Sequence, residues 1–540
     1  MVGNCECAII RAKMESLITE KGMRTEIIED LAKFGCCNLC ILRYLGNTEP
    51  YNYRKDEKLI EKLLFGELKK KNDNSCSKTG GRKMETDEGV EKENNLEDQD
   101  QPSRKVLKKS PCSVCLGLLD LKYGASDAVL DKIAAAVKEA NIQAKSYTIN
   151  LSLPIAVQFR AYFLWYHLVE KFSKIYNLYS MMKPESVCLK NAWKWICTHR
   201  LKDKVDPDSD WVTDGCLMVN ISLKYEDDES ECQTLGNQVR NSSDRRSKSN
   251  GLSRGGVELL FKDMTTFEFK RKFGDAPPIP SNFLVIDEIC CTHIPVLVAG
   301  RYCKYSRNVS QTPWIVDGKR FHDASVEELI AHVVTPMMNA DQVKFSASGR
   351  EDVDVRMLGR GRPFVMEVIS PKRTLFTTEN MKELRNKINS STKLISVRDI
   401  QIAERKAAAK LKDGEEFKTK TYCALCRVPE GIVVAEMLEK LNAMKLPIVL
   451  QQQTPIRVLH RRSLATRERS ILSIKATPAK SPNLFKLRVQ TQAGTYVKEF
   501  VHGDFGRTRP SVAEILECDA DIVSLDVESV DFHWPPSIDD

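Results

Sequence analysis

The chain has 540 residues, 42% apolar and 29% charged, which is ordinary globular usage and enough for at least one large core. Its 82 Lys and Arg against 74 acids leave a net +8, which permits a polyanionic partner without requiring one. Collagenous and wholly disordered chains are excluded, and no run approaches the ~18 consecutive apolar residues of a membrane-spanning helix.

From the N-terminus, Met14 to Tyr44 reads as helical with a break near Gly35-Cys36-Cys37. Asn72 to Lys105 has no aromatic residue and is dominated by Lys, Glu, Asp, Asn, Gly and Gln. Such a stretch buries too little apolar surface to offset its ordering entropy, and it reads as an inserted disordered loop. Ser126 and Asp127 can cap a helix to about Ala140, with Val129, Ile133, Ala136 and Val137 on one face. A strand over Ser146 to Leu153, an apolar helix to Val169, a helix near Glu185 to His199 and a strand from Gly215 to Lys224 complete an α+β unit. Glu226 to Gly256, acidic and then Ser/Asn/Arg-rich, reads as a second disordered insertion. A Pro-rich joint, Pro277-Pro278-Ile279-Pro280, separates a domain of residues 1–275 from one of 281–540.

In the second domain, the uncharged run Ile289 to Gly300 reads as one buried strand. Ser325-x-x-Glu328 is a capping box ahead of the apolar face Val326, Leu329, Ile330, Val333 and Val334. Val343 to Leu358 and Phe364 to Ile369 read as strands, Asn380 to Ile388 as helix and Leu394 to Ile402 as strand. Tyr422 to Val428, Ile471 to Ala476 and Leu484 to Thr491 are further strands, the last two paired around Ser481-Pro482-Asn483. The pattern is that of a mixed, mainly antiparallel sheet with flanking helices, so both domains are α+β.

The 18 cysteines are the unusual feature of the composition. The N-terminal sequence lacks an apolar core of signal-peptide length, so a reducing, intracellular compartment (nuclear, cytoplasmic or organellar) is expected, with thiols or metal ligands and no disulfides. Cys37-x-x-Cys40 and Cys112-x-x-Cys115 flank the first insertion and together supply the four thiolates of a structural zinc site. A third pair, Cys423 and Cys426, lies on a strand, where residues three apart face opposite ways, and reads as structural thiols.

Two further constellations carry chemistry. Gly349-Arg350-Glu351-Asp352-Val353-Asp354-Val355-Arg356 concentrates three acids and two arginines. On a strand, Arg350, Asp352, Asp354 and Arg356 would share one face, and Glu351 would share the other with Val353 and Val355. That charged face suits a phosphate-bearing substrate, and spacing does not separate Asp352 from Asp354. Gly494-Thr495-Tyr496-Val497-Lys498 places Tyr496 and Lys498 beside a glycine turn that opens a helix. A basic stretch of Arg457, His460, Arg461, Arg462, Arg467 and Arg469 could track phosphates.

Together these motifs, with Gly300-Arg301-Tyr302, Ser306-Arg307 and Ser310-Gln311-Thr312-Pro313-Trp314, resemble the archaeal and eukaryotic tRNA pseudouridine synthase family numbered ten. The resemblance implies a pseudouridine synthase catalytic domain and an N-terminal region with a zinc site and a THUMP-like RNA-binding module. It implies isomerisation of T-arm uridines of tRNA, at positions 54 and 55, without an organic cofactor or a membrane. Asp352 would be the nucleophile and Lys498 its ion-pair partner; motif position favours Asp352 over Asp354. Tyr422, in Lys420-Thr421-Tyr422, would stack on the extruded base and Tyr496 would line the pocket, with Arg350 and Arg356 binding substrate. The competing reading is a non-catalytic RNA-binding or scaffold protein that keeps the fold; the intact set of Asp352, Tyr422, Tyr496 and Lys498 argues against it.

Overall fold

The computed structural model describes residues 21–65, 110–173, 187–240, 253–262, 264–413, 418–429 and 433–538. It forms two compact units, Met1–Asn141 with Lys145–Thr292, and Ile142–Ala144 with His293–Asp540.

In the first unit, α1 (Lys21–Lys33), α2 (Asn38–Tyr44), α3 (Glu57–Phe65) and α4 (Asp127–Ala140) precede β1 (Ser146–Ser152). Then come α5 (Ile155–Lys171), α6 (Leu189–Val205), β2 (Asp210–Trp211), β3 (Leu217–Lys224), α7 (Asp228–Arg240), α8 (Arg254–Phe261), α9 (Thr266–Phe273) and β4 (Val285–His293). The strands form one sheet in the order β2-β1-β3-β4, with β1 parallel to both β2 and β3. The Ser126 side chain caps α4 by accepting from Val129 N at 3.4 Å, and Leu130, Ile133, Ala134 and Val137 are its buried face.

The second expected insertion is corrected in part, because its acidic start is helix α7. Asp228, Glu229 and Glu231 occupy the first turn, where the helix dipole favours anions. The Asp228 carboxylate accepts from Ala156 N at 2.7 Å, and Glu231 takes the fully buried Arg160 guanidinium and the Tyr225 hydroxyl. Counting these acids as solvated missed the buried arginine that consumes one of them. Residues 241–252 and the first expected insertion, 72–105, lie outside the described residues.

The run Ile289 to Gly300 is also corrected. It is the end of β4 and the start of β5 (Val296–Lys304), in different sheets, and Cys290 is exposed. Pro295, which cannot donate to a ladder, sits in the break.

After β5 come β6 (Ile315–Val316), β7 (Lys319–Arg320), α10 (Val326–Met338), β8 (Gln342–Ala347), β9 (Arg356–Ile369), α11 (Thr378–Ser391), β10 (Ile395–Ala403) and α12 (Arg405–Asp413). The chain continues through β11 (Lys420–Arg427), α13 (Ala435–Asn442), β12 (Ile448–Gln453), β13 (Thr466–Pro478), β14 (Leu484–Thr491), α14 (Val497–His502), β15 (Thr508–Arg509), α15 (Val512–Leu516) and β16 (Asp521–Val530). Ten strands make one sheet in the order β10-β5-β9-β16-β11-β14-β13-β12-β15, with β8 also on β9. Among the described residues its pairs are antiparallel except β9 with β16.

Val326, Ile330, Val334 and Met338 of α10 and Met381, Leu384 and Ile388 of α11 bury against Met357, Phe364, Met366 and Val368 of β9. Each such side chain contributes about 1.5–3 kcal/mol by leaving water. Arg301 of β5, buried among carbonyls, donates to Phe532 O at 2.8 Å, Trp534 O at 3.1 Å and Gly361 O at 2.9 Å, tying the segment after β16 to the sheet.

The expected strand from Val343 to Leu358 is not continuous. Gly349 at φ +79° reverses the backbone, and Val355 N donates to Asp352 O at 3.1 Å, closing a turn. Residues 348–355 are therefore a loop between β8 and β9, and Arg350, Asp352, Asp354 and Arg356 share no strand face.

Candidate active site and cysteine centre

Loop 348–355 stands on a buried polar foundation. The Glu351 carboxylate, with no exposure, accepts from Arg362 Nε at 2.7 Å and from the Tyr302 hydroxyl at 2.9 and 3.1 Å. Burial drives the Tyr302 phenol well above its usual range, so it remains the donor in this pair. Gln311 Nε2 donates to the Tyr302 hydroxyl at 2.8 Å and to Gly349 O at 3.0 Å, and Arg362 also donates to Ser348 O at 2.7 Å. Lys304, fully buried on β5, donates to Val309 O, Asp352 O and Val353 O at 2.9, 3.2 and 2.8 Å. Its burial pushes the ammonium down to about 8.

On this foundation the Asp352 side chain is presented at 37% exposure. Its nearest cation is Arg457 Nη1 at 2.9 Å; Lys498 Nζ lies at 3.5 Å. Lys498 sits closer to Asp354, at 2.8 Å. Burial pushes the Asp354 carboxyl up, but the bond from Lys498 outweighs it and leaves the group below the usual carboxylate range. Arg457 also donates from Nε to the buried Glu499 at 2.7 Å, and its guanidinium lies 5.9 Å from the Tyr496 ring centroid. Three carboxylates (Asp352, Asp354 and Glu499) thus interleave with two cations, Arg457 and Lys498.

The expected residues divide accordingly. Asp352, Lys498 and Tyr496 come together, the last held through its backbone by Gln452, which both donates to Tyr496 O and accepts from Tyr496 N at 3.0 Å. Burial raises the phenol of half-buried Tyr422 on β11 above its usual range, and the charges of Glu351 and, less strongly, Asp352 push the same way. Arg350 is exposed on the loop. Arg356 is drawn away to Asp526, at 2.8 and 2.5 Å, an acid it shares with Arg307. Glu351, Arg362, Lys304 and Glu499 were missed, and Arg457 was counted only as a phosphate contact. One signal existed: Glu351 falls on the apolar side of the pattern with Val353 and Val355, where an acid must be paired.

In the first unit, Cys37 precedes α2, Cys40 lies in its first turn, and Cys112-x-x-Cys115 forms a turn that ends in left-handed Leu116 and Gly117. Ser113 N donates to Gly35 O at 3.0 Å and Cys37 N to Cys112 Sγ at 3.3 Å, fastening the two turns together. All four sulfurs lie within 4.8 Å of one another, an arrangement that could hold a metal ion. Cys423 and Cys426 join no such group among the described residues.

Comparison with known proteins gives this geometry its context. The family description "Pus10, C-terminal" matches residues 297–531, and "Eukaryotic Pus10, N-terminal" matches 112–291. A Xenopus laevis protein named tRNA pseudouridine synthase Pus10 is 38% identical over 531 residues, covering 97% of this chain and 100% of its own. The chain belongs to the Pus10 family. A human member of the family is 36% identical over 539 residues, covering 94% of this chain and 97% of its own. A Thermofilum pendens member is 40% identical over 239 residues, covering 44% of this chain and 53% of its own. A solved Cbf5-Nop10-Gar1 complex overlaps at 15% identity over 43% of this chain and 48% of its own, with a TM-score of 0.25, too slight a likeness to carry an argument.

Proposed function

We propose that the chain is a tRNA pseudouridine synthase that isomerises T-arm uridines, with Asp352 as the nucleophile. The observation that carries this reading is the Asp352 carboxylate: solvent-accessible, fixed from behind by buried groups, and flanked by Arg457, Lys498 and Tyr496. In the reaction the N1–C1′ bond breaks, the uracil turns, C5 bonds to C1′, the C5 proton leaves and N1 gains one. No net oxidation occurs. A carboxylate flanked by two cations can stabilise or trap the sugar carbon while the base turns. Tyr422 would stack on the extruded base, whose departure from the helix costs unstacking energy.

The cysteine centre fits zinc. Four thiolates around a tetrahedral ion with Zn–S near ~2.3 Å place the sulfurs about 3.8 Å apart. Cys37 Sγ and Cys115 Sγ are 3.8 Å apart. Zinc bound there would staple α2 to the following turn, within a region read as a THUMP-like module gripping tRNA by shape and backbone.

Unmodified tRNA transcript incubated with the purified chain, then mapped by carbodiimide reactivity, should contain pseudouridine in the T-arm. Asp352→Ala should give none. Equal product from the two proteins, or none from wild type, would overturn the assignment.

A further inference from the structure

The turn after α14, Gly503-Asp504-Phe505-Gly506, has all four residues in the left-handed region, with Asp504 at φ +47° and Phe505 at +56°. Glycine or asparagine adopts this conformation readily; a phenylalanine there is strained. The turn is nevertheless locked, since Gly506 N donates to Gly503 O at 3.0 Å, Arg507 N to Asp504 O at 3.1 Å and Thr508 N to Gly503 O at 3.1 Å. The product of this arrangement is a phenyl ring 95% exposed to solvent. A single exposed apolar side chain is unremarkable by itself. One mounted rigidly on a strained turn, which Asp504 bonds to the segment carrying Arg457, calls for an occupant.

We propose that Phe505 is a stacking platform for an unpaired base of the RNA substrate, in a patch whose cations take the neighbouring phosphates. The inference rests on the reading of the chain as an RNA-modifying enzyme. Charge complementarity selects the occupant. The Arg509 guanidinium lies over Gly506, the residue next to the ring, at 3.3 Å from where a Cβ there would sit. The acid of the turn, Asp504, is buried and already engaged, accepting from Ile456 N at 3.3 Å and lying 3.5 Å from Arg507 Nε. That bond to Ile456 ties the turn to the loop that carries exposed His460, Arg461, Arg462 and Leu464. The residue after Ile456 is Arg457, which holds Asp352. The ring and the nucleophile therefore share one support, and a base displaced when the target uridine leaves its stack would meet an aromatic face with cations around it. Aromatic faces among cations are how proteins hold unstacked bases without reading their edges.

The test measures affinity of the full chain for unmodified tRNA transcript by anisotropy, with turnover measured separately. Phe505→Ala should weaken binding about 5- to 150-fold, the range of one lost base stack, while kcat at saturating tRNA stays within about twofold. The slope of log affinity against log salt should be unchanged in Phe505→Ala and reduced by roughly 0.7–0.9 in Arg509→Gln, because only the latter touches phosphate. Phe505→Trp should keep wild-type affinity and lose indole emission as tRNA saturates. Phe505→Ala affinity within twofold of wild type, or Phe505→Trp emission unmoved by tRNA, would overturn the proposal. Wild-type protein that binds tRNA yet makes no pseudouridine would sink the activity assigned to Asp352, with the binding comparison still deciding the role of Phe505.

Discussion

Replacing Glu351 by Gln removes a charge without changing shape, and it strikes beneath Asp352, the proposed nucleophile. The Glu351 carboxylate and the Arg362 guanidinium are 2.7 Å apart with side-chain exposures of 0% and 1%. Removing one partner of such a pair leaves the other as an uncompensated buried charge, which costs about 3–5 kcal/mol. For a unit of this size each kcal/mol moves the midpoint by about 2–4 °C, so the second unit should melt ~6–20 °C lower. Asp352→Asn is the control: at 37% exposure its ion pairs contribute about 1 kcal/mol or less, so its melting should barely change while activity is lost. Thermal unfolding of the three proteins, with pseudouridine formation assayed below the transition, separates the two effects. The double variant Glu351→Gln with Arg362→Met should recover part of the loss, since the orphaned guanidinium is gone. Glu351→Gln unfolding within 1 kcal/mol of wild type would refute the foundation described for the loop.

Further outcomes follow from the same geometry. Arg457→Met should lower kcat about 10²-fold or more with KM little changed, and Arg457→Lys should recover part of it; raised KM with wild-type kcat would make Arg457 a phosphate contact instead. Lys304, pushed down to about 8 by burial, releases its proton in the folded chain before the unfolded chain does. Between about pH 8 and 10 the unfolded state thus binds more protons, and this group should make stability rise by up to ~1.4 kcal/mol per pH unit. Unfolding free energies of wild type and Lys304→Met across that window test it, and parallel slopes would count against it. Purified protein should carry about one zinc per chain by elemental analysis, and Cys112→Ser well below that; equal content in both would remove the site.

Local periodicity and caps made much of the fold legible. The helix after Ser126, the hairpin around Ser481-Pro482-Asn483 and the α10 face all follow from side-chain patterns confined to neighbouring residues. Long-range pairing is what patterns hide. The acids of α7 looked solvated because their buried partner, Arg160, is 71 residues away from Glu231. The motif singles out Asp352, but its closest cation, Arg457, stands 105 residues off in a stretch that reads equally well as a basic surface. The loop at 348–355 looked like strand because its alternation of acids and valines has a period of two, and one left-handed glycine overrules it.

The position of β16 in the sheet bears on how this protein is made. It follows every other strand in the chain yet lies between β9 and β11, and its parallel partner on β9 is 170 residues upstream. A nascent chain emerging from the ribosome can assemble β10-β5-β9 and, separately, β11 with β14, β13 and β12, but the halves meet only once β16 has been synthesised. Until then the start of β9, ahead of the Phe364–Ile369 stretch that β8 covers, and one side of β11 present unpaired edges, open to non-native pairing. Asp526, which pins Arg356 and Arg307 beside loop 348–355, arrives with that same strand. Assembly of the sheet and completion of the site are thus one late event, so chaperone dependence should concentrate in the interval before β16 appears.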